Sequence, residues 1–170
     1  MSFLARLLGT EKDPREEIRP LWHAVVGEAR QKHWYAQRGV ADTLEGRFDM
    51  ITAVMALAIL RMEQDEALMR DTAYLTEFFV EDMDSQLRES GMGDPTLGKY
   101  IGRLVSAMGG RIGAFRKALA GEESLQDAAE RNMTLNEGAD GAALAQGLQE
   151  LADRLAGVSP ADLRAGRIAA

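Results

Sequence analysis

Three carboxylates fall within four residues at Glu81, Asp82 and Asp84, the kind of cluster that a cation site or an acid–base pair would need. On a helix Glu81 and Asp84 share one face, while Asp82 turns away from them. Di-iron helical bundles add Glu-x-x-His units to such a set, and this sequence has none. Its two histidines, His23 and His33, stand outside the His-Glu-x-x-His pattern that places two ligands on one helical face. Gly93-Asp94-Pro95-Thr96-Leu97-Gly98-Lys99-Tyr100 fits the phosphate-loop spacing G-x-x-x-x-G-K up to its last position. There Tyr100 replaces the Ser or Thr that would bind magnesium, and a helical pattern precedes the motif where a strand is required. With no cysteine there is no thiolate nucleophile, disulfide or cysteine-based zinc site. The carboxylates therefore read as a solvated helix face with one ion pair, and the expectation is a protein without catalytic residues, metal or cofactor.

Two helices must carry these residues. Leu68, Leu75, Phe79, Met83 and Leu87 recur at helical spacing, with Glu77, Glu81, Asp84 and Arg88 opposite. Leu97, Tyr100, Ile101, Leu104, Val105, Met108, Ile112, Phe115 and Leu119 then form a second, broader apolar stripe. Between them Gly91 suits a left-handed C-terminal cap and Pro95 cannot continue the helix behind it. Asp94 or Thr96 is available to cap the next N-terminus. The pattern predicts an antiparallel helical hairpin.

Gly98, Gly102, Gly109 and Gly113 fall on one narrow line beside the apolar face of the second helix. Glycine within a helix is unfavourable by roughly 0.5–1 kcal/mol relative to alanine, so the line needs a cause. Either a neighbouring helix of the same domain packs tightly there, or another helix backbone approaches from outside, as small-xxx-small motifs permit. Arg111 projects from within the apolar stripe and Asp82 lies at the edge of the facing helix's apolar side. Unpaired burial would be costly, so the expectation is a hydrogen-bonded pair or a snorkelling arginine.

Phe79, Glu81-Asp82-Met83-Asp84, Leu87-Arg88-Glu89, Gly91-Met92-Gly93-Asp94, Gly98-Lys99, Gly110-Arg111 and Phe115…Ala118-Leu119, in that order, resemble the signature of the ubiquinol–cytochrome c chaperone family. Upstream, Gly39 to Met50, with Arg47-Phe48-Asp49 at its centre, is similar to the family's other marked segment. The resemblance spans about residues 18–120. It implies a non-catalytic assembly factor for respiratory complex III that acts on newly made cytochrome b or another membrane-protein client. It also implies a cytoplasmic location, peripheral on the cytoplasmic face of the inner membrane (the matrix side for mitochondrial relatives), and a small partner protein in those relatives. Arg47, Phe48, Asp49, Asp82, Asp84, Arg88, Gly91, Gly93, Asp94 and Lys99 are signature positions read as structural. Gly98, Gly102, Gly109, Gly113, Arg111 and Tyr100 are the candidates for binding a client.

The remaining chain supports an all-α single domain of six or seven helices. Met1 to Gly9, MSFLARLLG, puts Phe3, Leu4, Leu7 and Leu8 on one face; residues 1–12 read as a frayed terminus, a small helix packed on the domain, or an interfacial helix on a lipid surface. Asp13-Pro14 caps a first turn, Pro20 forces a break or kink, and Ile18, Leu21, Trp22, Val25, Val26 and Ala29 form an amphipathic stripe. The aromatics of His33-Trp34-Tyr35 read as core, with a stop at Gly39. Asp42 and Glu45 are available to cap a helix whose run from Met50 to Leu60 is apolar all round, too short for the ~20 residues of a membrane span and hence buried and central. Residues 13–120 form the core carrying the resemblance; 121–170 form a C-terminal helical extension, with a helix over Leu125–Asn132, a loop to Gly141, and a stripe of Leu144, Leu148, Leu151 and Leu155. The net charge of −7 argues against a nucleic-acid ligand, which needs clustered Lys and Arg. The alternative function is a lipid- or quinone-binding protein at the membrane surface. A closed apolar cavity favours that reading, an open groove a polypeptide.

Overall fold

In a computed structural model of the chain the described residues are 13–168, except Ser90, Met92 and the side chains of Asp94 and Pro95. The expected segment over 1–12 lies outside them. The Asp13 carboxylate accepts the Arg15 N–H at 2.9 Å and opens a 3-10 turn over Pro14–Glu17. Pro20 falls in the first turn of α1 (Arg19–Ala29), where its missing N–H leaves no bond unmade. The single turn α2 (Lys32–Ala36) follows, and Gly39, at φ +82°, reverses the chain. Trp34 is buried, its indole N–H donating to the Glu28 carbonyl, while the Tyr35 hydroxyl donates to the Ala29 carbonyl. These aromatics thus satisfy carbonyls at the open end of α1.

The organising element is α3 (Leu44–Met62), in which every residue from Met50 to Leu60 is buried. Its cap is Thr43, whose hydroxyl accepts the Gly46 N–H, rather than Asp42 or Glu45. Asp42 is instead held by Arg47 at 2.7 Å. Helices α1, α5 (Asp94–Leu119) and α7 (Ala142–Ala156) all pack on α3, which is why its sequence has no polar face.

The expected hairpin is formed by α4 (Asp71–Glu89) and α5, with Gly91 at φ +89° between them. Two local details differ from expectation. Leu68 is buried but belongs to a 3-10 turn over Glu66–Leu68, before α4 begins. The N-cap of α5 is Gly93, with Pro95 inside the first turn, so neither Asp94 nor Thr96 caps it.

Ser124 caps α6 (Leu125–Asn132), and residues 133–141 form the expected loop. One isolated antiparallel bridge, Val40 to Leu135, ties that loop to the segment before α3; the described residues include no β-strand. On α7, Leu144, Leu148, Leu151 and Leu155 are all buried, and α8 (Pro160–Arg164) packs on α1 behind a Ser159 cap. The result is all-α, with six helices of eight residues or more among the described residues and two of five.

Candidate functional site

Among the described residues Arg111 is the one buried arginine. Only 3% of it is exposed, and its guanidinium reaches Asp49 Oδ1 at 2.8 Å, the Thr52 hydroxyl, and the carbonyl of Asn132. Asp49 Oδ2 in turn accepts both the backbone N–H and the hydroxyl of Thr134, at 2.9 and 2.7 Å. Three elements (α3, α5 and the loop after α6) are thus joined through a single ion pair. The expectation of a partner for Arg111 is met, but the partner is Asp49 and not Asp82. Asp82 accepts from Gln86, one turn along α4, at 3.0 Å. Burial pulls the Arg111 pKa downward, and the Asp49 charge opposes that shift. Arg111, expected among the client-binding candidates, thus lies enclosed within this network.

The glycine line has the opposite environment. A Cβ added at Gly98, Gly102, Gly109 or Gly113 would meet nothing within 4 Å. Elsewhere the same chain uses glycine for close packing: a Cβ at Gly46 would lie 2.0 Å from the Ala41 carbonyl oxygen, and one at Gly147 would lie 2.7 Å from the Trp34 ring. No helix among the described residues fills the α5 line. The apolar stripe beside it is incompletely covered, since Leu97, Met108 and Phe115 are buried whereas Tyr100, Ile101, Leu104, Val105 and Ile112 are only half-buried. Leu119, at its end, is 36% exposed. A concavity of about 630 Å³ lies along the outer side, lined by Thr96, Lys99, Gly102, Arg103 and Ser106. The Arg103 guanidinium sits 5.3 Å from the centre of the Tyr100 ring. Sequence reasoning missed Arg103, Thr96 and Ser106. Their shared helical face was readable, but their exposure required knowing which side α3 covers.

The carboxylates of α4 resolve into local pairs. Arg15 reaches Glu81 at 2.5 Å and Glu77 at 3.4 Å, and Arg88 holds Asp84 at 2.7 Å. Among the described residues no group of three His, Cys, Asp or Glu side chains is placed to hold a metal ion. Residues 93–100 are the cap and first turns of α5 and follow a helix. Of the signature positions, Phe48 is buried in α3, Arg47 and Lys99 are exposed, Gly91 turns the hairpin, and Gly93 and Asp94 begin α5.

The fold that positions these residues has counterparts among known proteins. The sequence profile of the Ubiquinol-cytochrome C chaperone family matches residues 36–170. The chain belongs to the ubiquinol–cytochrome c chaperone family. The crystal structure of the Cbp3 homolog from Brucella abortus is similar over 97% of this chain and 94% of that one, at 30% identity and a TM-score of 0.77. No curated protein matches the sequence. The family match includes α6, α7 and α8, which the resemblance seen in the sequence did not reach. Membership carries a chaperone or assembly role for ubiquinol–cytochrome c reductase and implies no enzymatic one. No helix among the described residues is long and apolar enough to cross a membrane.

Proposed function

We propose that this protein is a non-catalytic chaperone that holds newly made cytochrome b, before its assembly into ubiquinol–cytochrome c reductase, on the glycine side of α5. The observation that carries the reading is the empty space at Gly98, Gly102, Gly109 and Gly113, set against the filled space at Gly46 and Gly147. Four glycines cost helix stability, and no contact with a described residue offsets that cost. A client helix could bring its backbone close along such a line, as small residues allow between membrane helices. The half-buried Ile101, Leu104 and Val105, with Tyr100, offer apolar contact at the edge of the line. Lys99 and Arg103 supply long apolar stems whose charged ends remain in water, so they can flank a greasy segment without being buried.

The concavity of about 630 Å³ beside the line is open to solvent, which suits a polypeptide. A location on the cytoplasmic face of the inner membrane, where the client is inserted, follows from the same proposal. Photo-crosslinking from positions 102 and 109 in cells tests it directly. Recovery of cytochrome b supports the reading. A bound fraction from which cytochrome b is absent, or recovery unchanged by Gly102→Leu, counts against it.

A further inference from the structure

A second surface, independent of the α5 line, carries its own chemistry. Where α1 ends, α2 passes and α3 begins, a basin of about 750 Å³ is lined by Arg30, Lys32, Tyr35, Leu44, Phe48 and Arg47, and Gln86 of α4 closes one side. Its floor is apolar. Leu44 is 58% exposed, more than any other large hydrophobic side chain among the described residues. It is the first residue of the central helix, where packing requires nothing of it. The edges of Phe48 and Ile51 continue the same floor.

The rim is positive. Asp42 is the one carboxylate lining the basin, and Arg47 holds it at 2.7 Å. Arg30 and Lys32 are exposed and make no ion pair with any described residue. The positive end of the 19-residue α3 dipole also opens here, its Thr43 cap already accepting the Gly46 N–H. The chain as a whole is acidic, with a net charge of −7. An acidic partner is therefore repelled over much of the surface and attracted at this basin.

We propose that the basin is a docking site for an acidic polypeptide segment that sets an apolar side chain against Leu44 and Phe48 and carboxylates against Arg30 and Lys32. Its openness decides between occupants of similar charge. An acyl chain laid in a basin this open would leave much of its length in water, whereas a helix turn or extended segment needs to bury only one or two anchors. The proposal goes beyond the client-binding reading and uses none of the α5 residues.

The test uses a dye-labelled amphipathic peptide with leucines at helical spacing flanked by glutamates, and a second peptide with each glutamate replaced by lysine. Binding to the full chain is read by fluorescence anisotropy. The glutamate peptide should bind, and its affinity should fall about tenfold or more in the double variant Arg30→Glu/Lys32→Glu, with a similar loss for Leu44→Ser. The lysine peptide should bind the double variant better than the wild type. All three positions are exposed, so circular dichroism should show an unchanged fold. Equal binding of both peptides, no binding of either, or equal affinity in all variants overturns the proposal. So does binding of phosphatidylglycerol vesicles, but not the glutamate peptide, through the same three residues, which would assign the basin to lipid.

Discussion

Helices α3 and α5 meet at the Asp49–Arg111 pair and are otherwise treated in opposite ways. From Met50 to Leu60 α3 is enclosed on every side, with Thr52 as its one polar interior residue. Thr52 manages this by donating its hydroxyl to the carbonyls of Phe48 and Asp49 and accepting from Arg111. α5 is longer, at 26 residues, yet among its described side chains it fully buries only Leu97, Met108, Arg111 and Phe115. Its glycines lower helix propensity, and a Cβ added at any of them would meet no described residue within 4 Å. The contrast separates two uses of one secondary structure: α3 is there to be covered, and α5 is fastened at one deep point with its other side left bare.

The fastening should show the largest effect. Arg111→Met leaves the Asp49 carboxylate without its cation and frees the Asn132 carbonyl, for a loss of about 3–5 kcal/mol in urea unfolding, as when one partner of a buried pair is removed. Asp49 is 24% exposed on its side chain and keeps its Thr134 bonds, which points to the lower end of that range. Adding Asp49→Leu to Arg111→Met should recover part of the loss. If the double variant is less stable than the sum of the singles, the pair is not the link between these helices.

Cavity formation in α3 comes next. Leu57→Ala should cost about 2–4 kcal/mol, the usual range for truncating an enclosed leucine. Removing side chains from the covered helix should change stability while leaving crosslinking from position 102 intact at permissive temperature.

Glycine substitutions sharpen the contrast because their sign should reverse between regions. Gly46→Ala drives a methyl into the Ala41 carbonyl and should destabilise by about 1–3 kcal/mol, as overpacking does. Gly109→Ala meets open space in a helix interior and should stabilise by about 0.5–1 kcal/mol. Client crosslinking should nevertheless weaken in Gly109→Ala and more so in Gly102→Leu. A stabilised variant with impaired capture separates a client-facing surface from a packing surface. If Gly109→Ala instead destabilises the protein, the space beside it is not free.

How much of this could be read from the sequence depends on the range of each interaction. The sealed character of α3 was visible in the run from Met50 to Leu60, apolar but for Thr52, because a helix with no polar side can only be enclosed. The glycine line of α5 was visible from spacing alone. Whether it was filled was not, since that depends on where the other helices lie. Asp82 was a reasonable partner for Arg111 by helical facing, but the actual network uses Asp49, 62 residues away in sequence, and the backbone carbonyl of Asn132. A backbone acceptor leaves no trace in a side-chain pattern. The basin at Leu44 was equally hidden, because Arg30, Lys32, Leu44 and Gln86 come from separate elements that only the fold brings together.

The smallest effect concerns the loop that supplies Thr134 and so steadies the joint between α3 and α5. Glu130, on α6, accepts the Gln126 amide at 3.0 Å and the Gly141 N–H at 2.8 Å, closing the 133–141 loop at its far end. The Gln126 bond, and after it the Gly141 bond, holds the Glu130 carboxyl below its usual value of 4.5. A depressed folded-state pKa contributes stability above the unfolded-state value and loses it as pH falls through the folded-state value. The Gly141 amide resonance should therefore titrate with an inflection below pH 4.5, and the thermal midpoint should carry a small acid-side loss over the same interval. In Glu130→Gln both signals should disappear, while the glutamine oxygen can still accept the Gly141 N–H and keep the loop closed. An inflection that persists in Glu130→Gln would mean that another carboxylate governs the loop, and the Thr134 anchor of Asp49 would then have to be steadied from elsewhere.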